Sequence, residues 1–228
     1  MIRRLTSLLI AVILCSCASS GPLTVPNDRE WNLLTADHSW LETLRKAQPA
    51  PPANASRKKQ IETLLENHRK VEPVYVAFMD KLREYHTRTG DPRAAALMAK
   101  EKIAIGDDYM NILARYDRAL EFYRTARQID PANPDVQQRI AIAEQRRFVA
   151  MTTFAQIKSG MKEDDVRKLV GLPREDWIKQ VIQNNRVYAV WIYPKADGGA
   201  AAIYFDNGVV YHTNWNAAAA SPQQAANE

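Results

Sequence analysis

The hydrophobic period of this chain changes once, near residue 150, and that change fixes the class of fold it can adopt. Residues 28–150 space their apolar side chains at helical intervals and hold no convincing strand, whereas residues 151–216 break into short apolar segments separated by Gly, Pro and Asn. Runs of helix followed by runs of strand give an α+β arrangement and exclude an alternating parallel fold. A helical region at 28–150 and a small α+β domain at 151–216 are the expected units.

Within the helical region, Asn27 or Asp28 caps a first helix that runs to Gln48, with Trp31, Leu34, Leu41 and Leu44 on its buried side. Pro49, Pro51 and Pro52 end it, because proline lacks the amide hydrogen and clashes with the preceding turn. From Arg57 to Thr87 two seams recur every seven residues: Ile61, His68, Tyr75 and Leu82, and beside them Leu64, Val71, Phe78 and Tyr85. Such a helix requires a partner helix along its length. Pro73 lies outside both seams, where it is expected to kink the helix toward solvent rather than block packing. Gly90, Asp91 and Pro92 then read as a left-handed cap, an N-cap and a first helical turn, which predicts an antiparallel hairpin. The next helix is expected from Pro92 to Ile129 with a bend near Gly106.

The end of that helix resembles the second helix of a tetratricopeptide repeat, on Ala119, Tyr123, Ala126 and Pro131, and Pro134 opens a further helix to about Ala150. The small residues allow close helix approach, and the proline stops the helix. A plain helical bundle is the alternative, because such repeats need about three copies to bury a continuous core.

The N-terminus is similar to a bacterial lipoprotein signal. Arg3 and Arg4 precede the apolar run Leu8 to Leu14, which is too short to span a bilayer as a mature helix, and the run stops at Leu14, Cys15, Ser16, Cys17. The resemblance implies removal of residues 1–16, a diglyceride on Cys17 and a lipidated tether over residues 17–27. Cys15 departs from the small residue usual at its position; as acceptor it would follow Leu14, which is too bulky for the cleavage pocket. Several acyl chains at about 0.8 kcal/mol per buried methylene make such an anchor effectively permanent. Ala18, where an Asp would resemble an inner-membrane retention signal, implies the periplasmic face of the outer membrane. An ordinary secretory signal would instead leave a freely soluble chain.

Residues Ile157, Gly160, Met161, Val166, Leu169, Gly171 and Pro173 resemble the opening of the BamE (SmpA/OmlA-like) family of outer-membrane lipoproteins. Glu163, Asp164 and Asp165 favour the start of the helix that carries Val166, Leu169 and Val170. Four strands follow, at about Asp176 to Ile182, Arg186 to Tyr193, Ala200 to Phe205 and Val209 to Trp215; Asp206, Asn207 and Gly208 form a strong hairpin signal. The family pattern continues through Trp191, Tyr193, Phe205, Gly208 and Val209. It implies two helices packed on an antiparallel sheet and a non-enzymatic adaptor in the assembly of β-barrel outer-membrane proteins. A secreted inhibitor or sensor of a soluble enzyme, whose fold is similar, and a structural link between membrane and cell wall are the other expectations.

The second strand is apolar on both faces, with Val187, Ala189, Trp191 and Tyr193 on one and Tyr188, Val190 and Ile192 on the other. A two-layer domain needs only one apolar face, so either the helical region or a protein partner covers the outer one, and alternation does not say which of the two that is. Trp177, Trp191 and Tyr193 are the candidate partner-binding residues. The tail 217–228, rich in Ala, Gln and Ser, is expected to be disordered.

Charge and residue chemistry narrow the function further. Residues 17–150 hold 21 basic against 18 acidic residues and residues 151–228 hold eight of each, so no cluster argues for nucleic acid. Of the two cysteines, Cys15 is removed with the signal and Cys17 as lipid acceptor is blocked, which leaves no free thiol for catalysis, disulfides or metal. His38, His68, His86 and His212 show no metal-ligand spacing, and no serine sits in a nucleophile turn. No catalytic residue, metal site or cofactor is expected; the partners are the membrane, through Cys17, and a protein.

Overall fold

A computed structural model describes residues 25–50 and 56–217 of the chain. Cys17, the signal at 1–16, most of the tether and linker, and residues 218–228 lie outside the described residues. Among the described residues the chain forms seven α-helices and then a four-stranded antiparallel sheet, so the α+β class holds.

α1 (Asp28–Lys46) starts where the Asn27 side chain accepts hydrogen bonds from the amides of Arg29 and Glu30, at 2.9 and 3.4 Å. Acids in its first turn and Arg45 and Lys46 in its last suit the helix dipole. α2 (Arg57–Thr89) passes through Pro73, which is exposed as its place outside the seams requires. Gly90 ends α2 with φ 65°, a left-handed cap conformation that a side chain would strain. The lower half of the predicted seams is buried: Val71, Phe78, Leu82 and Tyr85 join Leu34 and Leu41 of α1 and Ala94 and Met98 of the next helix in one core.

The helix expected over Pro92 to Ile129 is two helices, α3 (Pro92–Asn111) and α4 (Tyr116–Ile129). Ala114 takes φ 51° and turns the chain back, with the Arg115 amide donating to the Tyr109 carbonyl at 2.8 Å. Gly106 is therefore the contact point of an antiparallel pair and not a bend. A Cβ there would lie 2.8 Å from Tyr123 Cδ1 and closer still to Cε1. In an exposed helix Gly→Ala gains about 1 kcal/mol. Here Gly106→Ala is expected to lose about 1–3 kcal/mol, because the added methyl forces Tyr123 out of a filled core. A higher midpoint in urea denaturation for this variant would contradict the close approach. α5 (Pro134–Arg147) packs on α4, and Ala119, Tyr123, Ala126, Val136, Ile140 and Ala143 form the second core.

Asp91, the N-cap of α3, ties the α2–α3 corner together. Its carboxylate is 1% exposed and accepts from the Tyr85 hydroxyl at 2.7 Å, the Arg93 amide at 2.9 Å and the Arg93 guanidinium at 2.7 Å. The Arg93 guanidinium first, aided by Tyr85, holds the carboxyl down at about 2. A folded value below the unfolded one, about 3.9, contributes stability above pH 4 that is lost as the pH falls toward 2. The melting temperature of Asp91→Asn is expected to fall less steeply than wild type across that interval. Equal slopes would place the acid sensitivity elsewhere.

α6 (Met151–Phe154) and α7 (Glu163–Val170) precede a 3-10 turn, Glu175–Trp177, and the strands β1 (Ile178–Gln183), β2 (Arg186–Pro194), β3 (Ala200–Asp206) and β4 (Val209–Ala217). The sheet is a meander in sequence order. Asn207 and Gly208 both have positive φ, 47° and 76°, as the type I′ hairpin requires. β4 includes Ala217, one residue into the segment expected as tail.

Candidate protein-binding surface

One face of the sheet is closed by its own helices. Phe154 and Ile157 from the α6 segment and Val166 and Val170 from α7 pack on Ala189, Trp191, Tyr193, Ala201, Ile203, Phe205 and Val210. Trp191 is 3% exposed and meets the Phe205 ring at 4.6 Å, while its strand neighbours are Ile178 and Ile203. Tyr193 is 4% exposed and donates its hydroxyl to the Gly171 carbonyl at 3.0 Å; burial pushes that phenol well above its ordinary value. Both residues are thus core, which corrects their expected place on a partner-binding surface. Sequence alternation identified the two sides of β2, but the side that α7 covers depends on its apolar stripe. Trp177 is half-buried in the 3-10 turn, beneath the Arg174 guanidinium at 5.3 Å.

The opposite face carries Tyr188, Val190 and Ile192 of β2, Tyr204 of β3 and Tyr211 of β4, none of them buried. Register joins them: Val181 opposes Tyr188, Val190 opposes Tyr204, and Tyr204 opposes His212. A bulge between Tyr204 and Phe205 swings Tyr211 toward Tyr204, with ring centroids 6.1 Å apart. Val181 is 59% exposed and Tyr211 52%. The helical region therefore leaves this face open, and the aromatic residues stand on it side by side.

The helical region reaches the module elsewhere, at the loop after α7. Arg57 Nη1 donates to the Pro173 carbonyl at 2.7 Å and pairs with Glu175 at 3.5 Å, and the Tyr116 hydroxyl donates to the Leu172 carbonyl at 2.8 Å. Val149, just beyond α5, joins the module's core, and its amide donates to Pro194. These contacts fix the module without masking the aromatic face.

Three of the histidines sit in ordinary polar contacts and the fourth in a ring contact. His68 pairs with Asp108 at 3.0 Å, the His86 ring meets the Asp91 carbonyl at 3.2 Å, and His212 lies against Tyr204. The fold brings His38 to Glu101 at 2.9 Å and near Glu42, a grouping that sequence spacing did not show. Arg45 occupies the centre of that group, donating to Glu42 at 2.6 Å and to both oxygens of Glu101, at 3.3 and 2.8 Å. Burial pushes the Glu101 carboxyl up and the Arg45 guanidinium more than offsets it, so the group stays below its ordinary value. The result is an ion-pair network across α1 and α3, with its coordinating oxygens already held by a cation. Asp164 and Asp165 lie in the first turn of α7 and pair with Arg167 and Lys168, which accounts for them structurally.

A second opening lies in the helical region. The end of α1, the first half of α2, the second half of α3 and Phe122 of α4 enclose a groove of about 780 Å³. The upper half of the α2 seam, Leu64 and His68, borders this space where a partner helix was expected. No protein-family model, curated protein or solved structure matches the chain.

Proposed function

We propose that the chain is a non-enzymatic, lipid-anchored adaptor of the bacterial outer membrane that docks a component of β-barrel protein assembly on the open face of its C-terminal sheet. The carrying observation is that face: Tyr188, Val190, Ile192, Tyr204 and Tyr211 form a contiguous aromatic and aliphatic surface beside a closed core. Contiguous apolar patches of this kind mark interaction sites on soluble domains, and aromatic residues dominate the binding energy of interfaces. The module's two helices on an antiparallel meander support the BamE-like reading, and the buried Ala119, Tyr123 and Ala126 between α3, α4 and α5 support the tetratricopeptide-like one.

The anchor rests on Arg3, Arg4, the apolar run and Cys17. Mass spectrometry of the mature chain is expected to find a diglyceride on Cys17, and fractionation to find wild type with the outer membrane. Cys17→Ala is expected to lose both. An unmodified Cys17 at the mature terminus would refute the anchor.

A further inference from the structure

We infer that the outward face of α1 rests in the head-group layer of the membrane that carries the anchor. The inference rests on the lipid-anchor reading and uses none of the sheet-face residues. α1 buries Leu34 and Leu41 in the core it shares with α2, whereas its other side exposes two large apolar residues, Leu33 at 64% and Trp40 at 57%. Arg29, Leu33, Ala36, Trp40 and Thr43 recur at steps of three and four, so they form one stripe along the helix, and all of them are exposed.

The stripe is equipped to leave water. Its hydroxyls are satisfied within the helix: Thr43 donates to the Ser39 carbonyl, and Ser39, on the border of the stripe, donates to the Thr35 carbonyl, both at 2.9 Å. A hydroxyl bonded back to its own helix needs no water partner, so moving it toward lipid costs little. Trp is enriched at the boundary between head groups and hydrocarbon, where an apolar ring and a polar edge are both accommodated, and Trp40 is the largest side chain of the stripe. Val25, 85% exposed, adds a further apolar side chain between tether and helix.

Charge and tether length select a lipid surface as the occupant. No acid lies on the stripe, and each acid of α1 is paired with a cation of this chain: Asp28 with Arg93, Glu30 with Arg88, Asp37 with Lys81 and Glu42 with Arg45. Arg29 near the start of α1 and Lys46 at its end have no ion-pair partner among the described residues. The face therefore offers positive charge, which anionic head groups attract. Asp28 follows Cys17 by eleven residues. At no more than about 3.6 Å per residue, the extended tether holds the helix start within about 40 Å of the lipid. α1 is itself about 28 Å long, at 1.5 Å per residue. Anchoring makes the second contact intramolecular, so a modest apolar face binds at an effective concentration of about millimolar.

The test is quenching of Trp fluorescence in the full mature chain, purified with its lipid and reconstituted in phosphatidylcholine vesicles that carry bromine on their acyl chains, with and without a minority of phosphatidylserine. Flotation with the vesicles reports the anchor, and quenching reports α1. Wild type is expected to float and to be quenched, more strongly with phosphatidylserine, and Trp40→Phe is expected to float and to lose most of the quenching. Ala36→Asp keeps Trp40 but places a carboxylate on the stripe, and it is expected to lose the quenching as well. Arg29→Glu with Lys46→Glu should abolish the increment from phosphatidylserine and leave quenching in phosphatidylcholine as it was. Circular dichroism melts confirm that each variant is folded. A chain that floats unquenched, or quenching that survives Trp40→Phe or Ala36→Asp, overturns the contact and leaves the anchor intact. An increment that persists in Arg29→Glu with Lys46→Glu overturns the role of charge. A chain that does not float refutes the anchor, and this inference falls with it.

Discussion

Trp191→Ala is expected to destabilise the C-terminal module by about 3–5 kcal/mol, because truncating a buried indole leaves a cavity that rigid neighbours cannot refill. Trp191 is 3% exposed and sits among Phe205, Ile178 and Ile203. Tyr211→Asp lies on the other side of the same sheet, 52% exposed, and is expected to cost less than about 1 kcal/mol. Urea denaturation followed by Trp fluorescence separates the two. Partner binding should show the reverse order among folded variants, with Tyr211→Asp and Tyr188→Asp losing it at unchanged stability. A stable Trp191→Ala would mean that the faces are assigned the wrong way round.

Arg45→Ala carries the second large effect, about 3–5 kcal/mol, the cost of leaving a buried carboxylate without its cation. Glu101 is 2% exposed and balances Arg45, while His38 completes the group. The cost arises from the stranded Glu101 carboxylate more than from the lost attraction, since Arg45 itself is 31% exposed and also pairs with Glu42. Removing both charges in Arg45→Met with Glu101→Leu should therefore recover most of the loss, since apolar replacements of buried pairs are often neutral or better. Thermal melts of the two single variants and the double variant measure this coupling. Additive losses would show that the two groups do not depend on each other.

Local chemistry made much of the fold legible. Gly90, Asp91 and Pro92 state a cap, a start and a first turn within three residues, and each takes that role. Asn207 and Gly208 accept the positive φ that their hairpin demands. Asn184 and Asn185 do the same between β1 and β2, with φ 49° and 58°. The break between α3 and α4 gave no such sign, because Ala114 adopts a left-handed conformation under tertiary packing where neither Gly nor Pro announces it. Heptad spacing in α2 predicted a continuous partner. The structure supplies one below Val71 and an open groove above it, since a helix records the width of its own apolar face and not the path of its neighbour. The same limit applies to β2: alternation separates Trp191 from Tyr188, yet the covered side depends on α7, many residues away. The meeting of His38, Glu42, Arg45 and Glu101 is equally long-range, and only the i, i+4 spacing of His38 and Glu42 could have hinted at it.

Contact through the open sheet face is the central claim, and site-specific photocrosslinking in intact cell envelopes addresses it most directly. A photoreactive residue at Tyr211 should capture a subunit of the β-barrel assembly machinery, while the same residue at Leu33, 64% exposed on α1, should not. Equal labelling from both positions, or none from Tyr211 with wild-type amounts of chain in the membrane, would contradict the account.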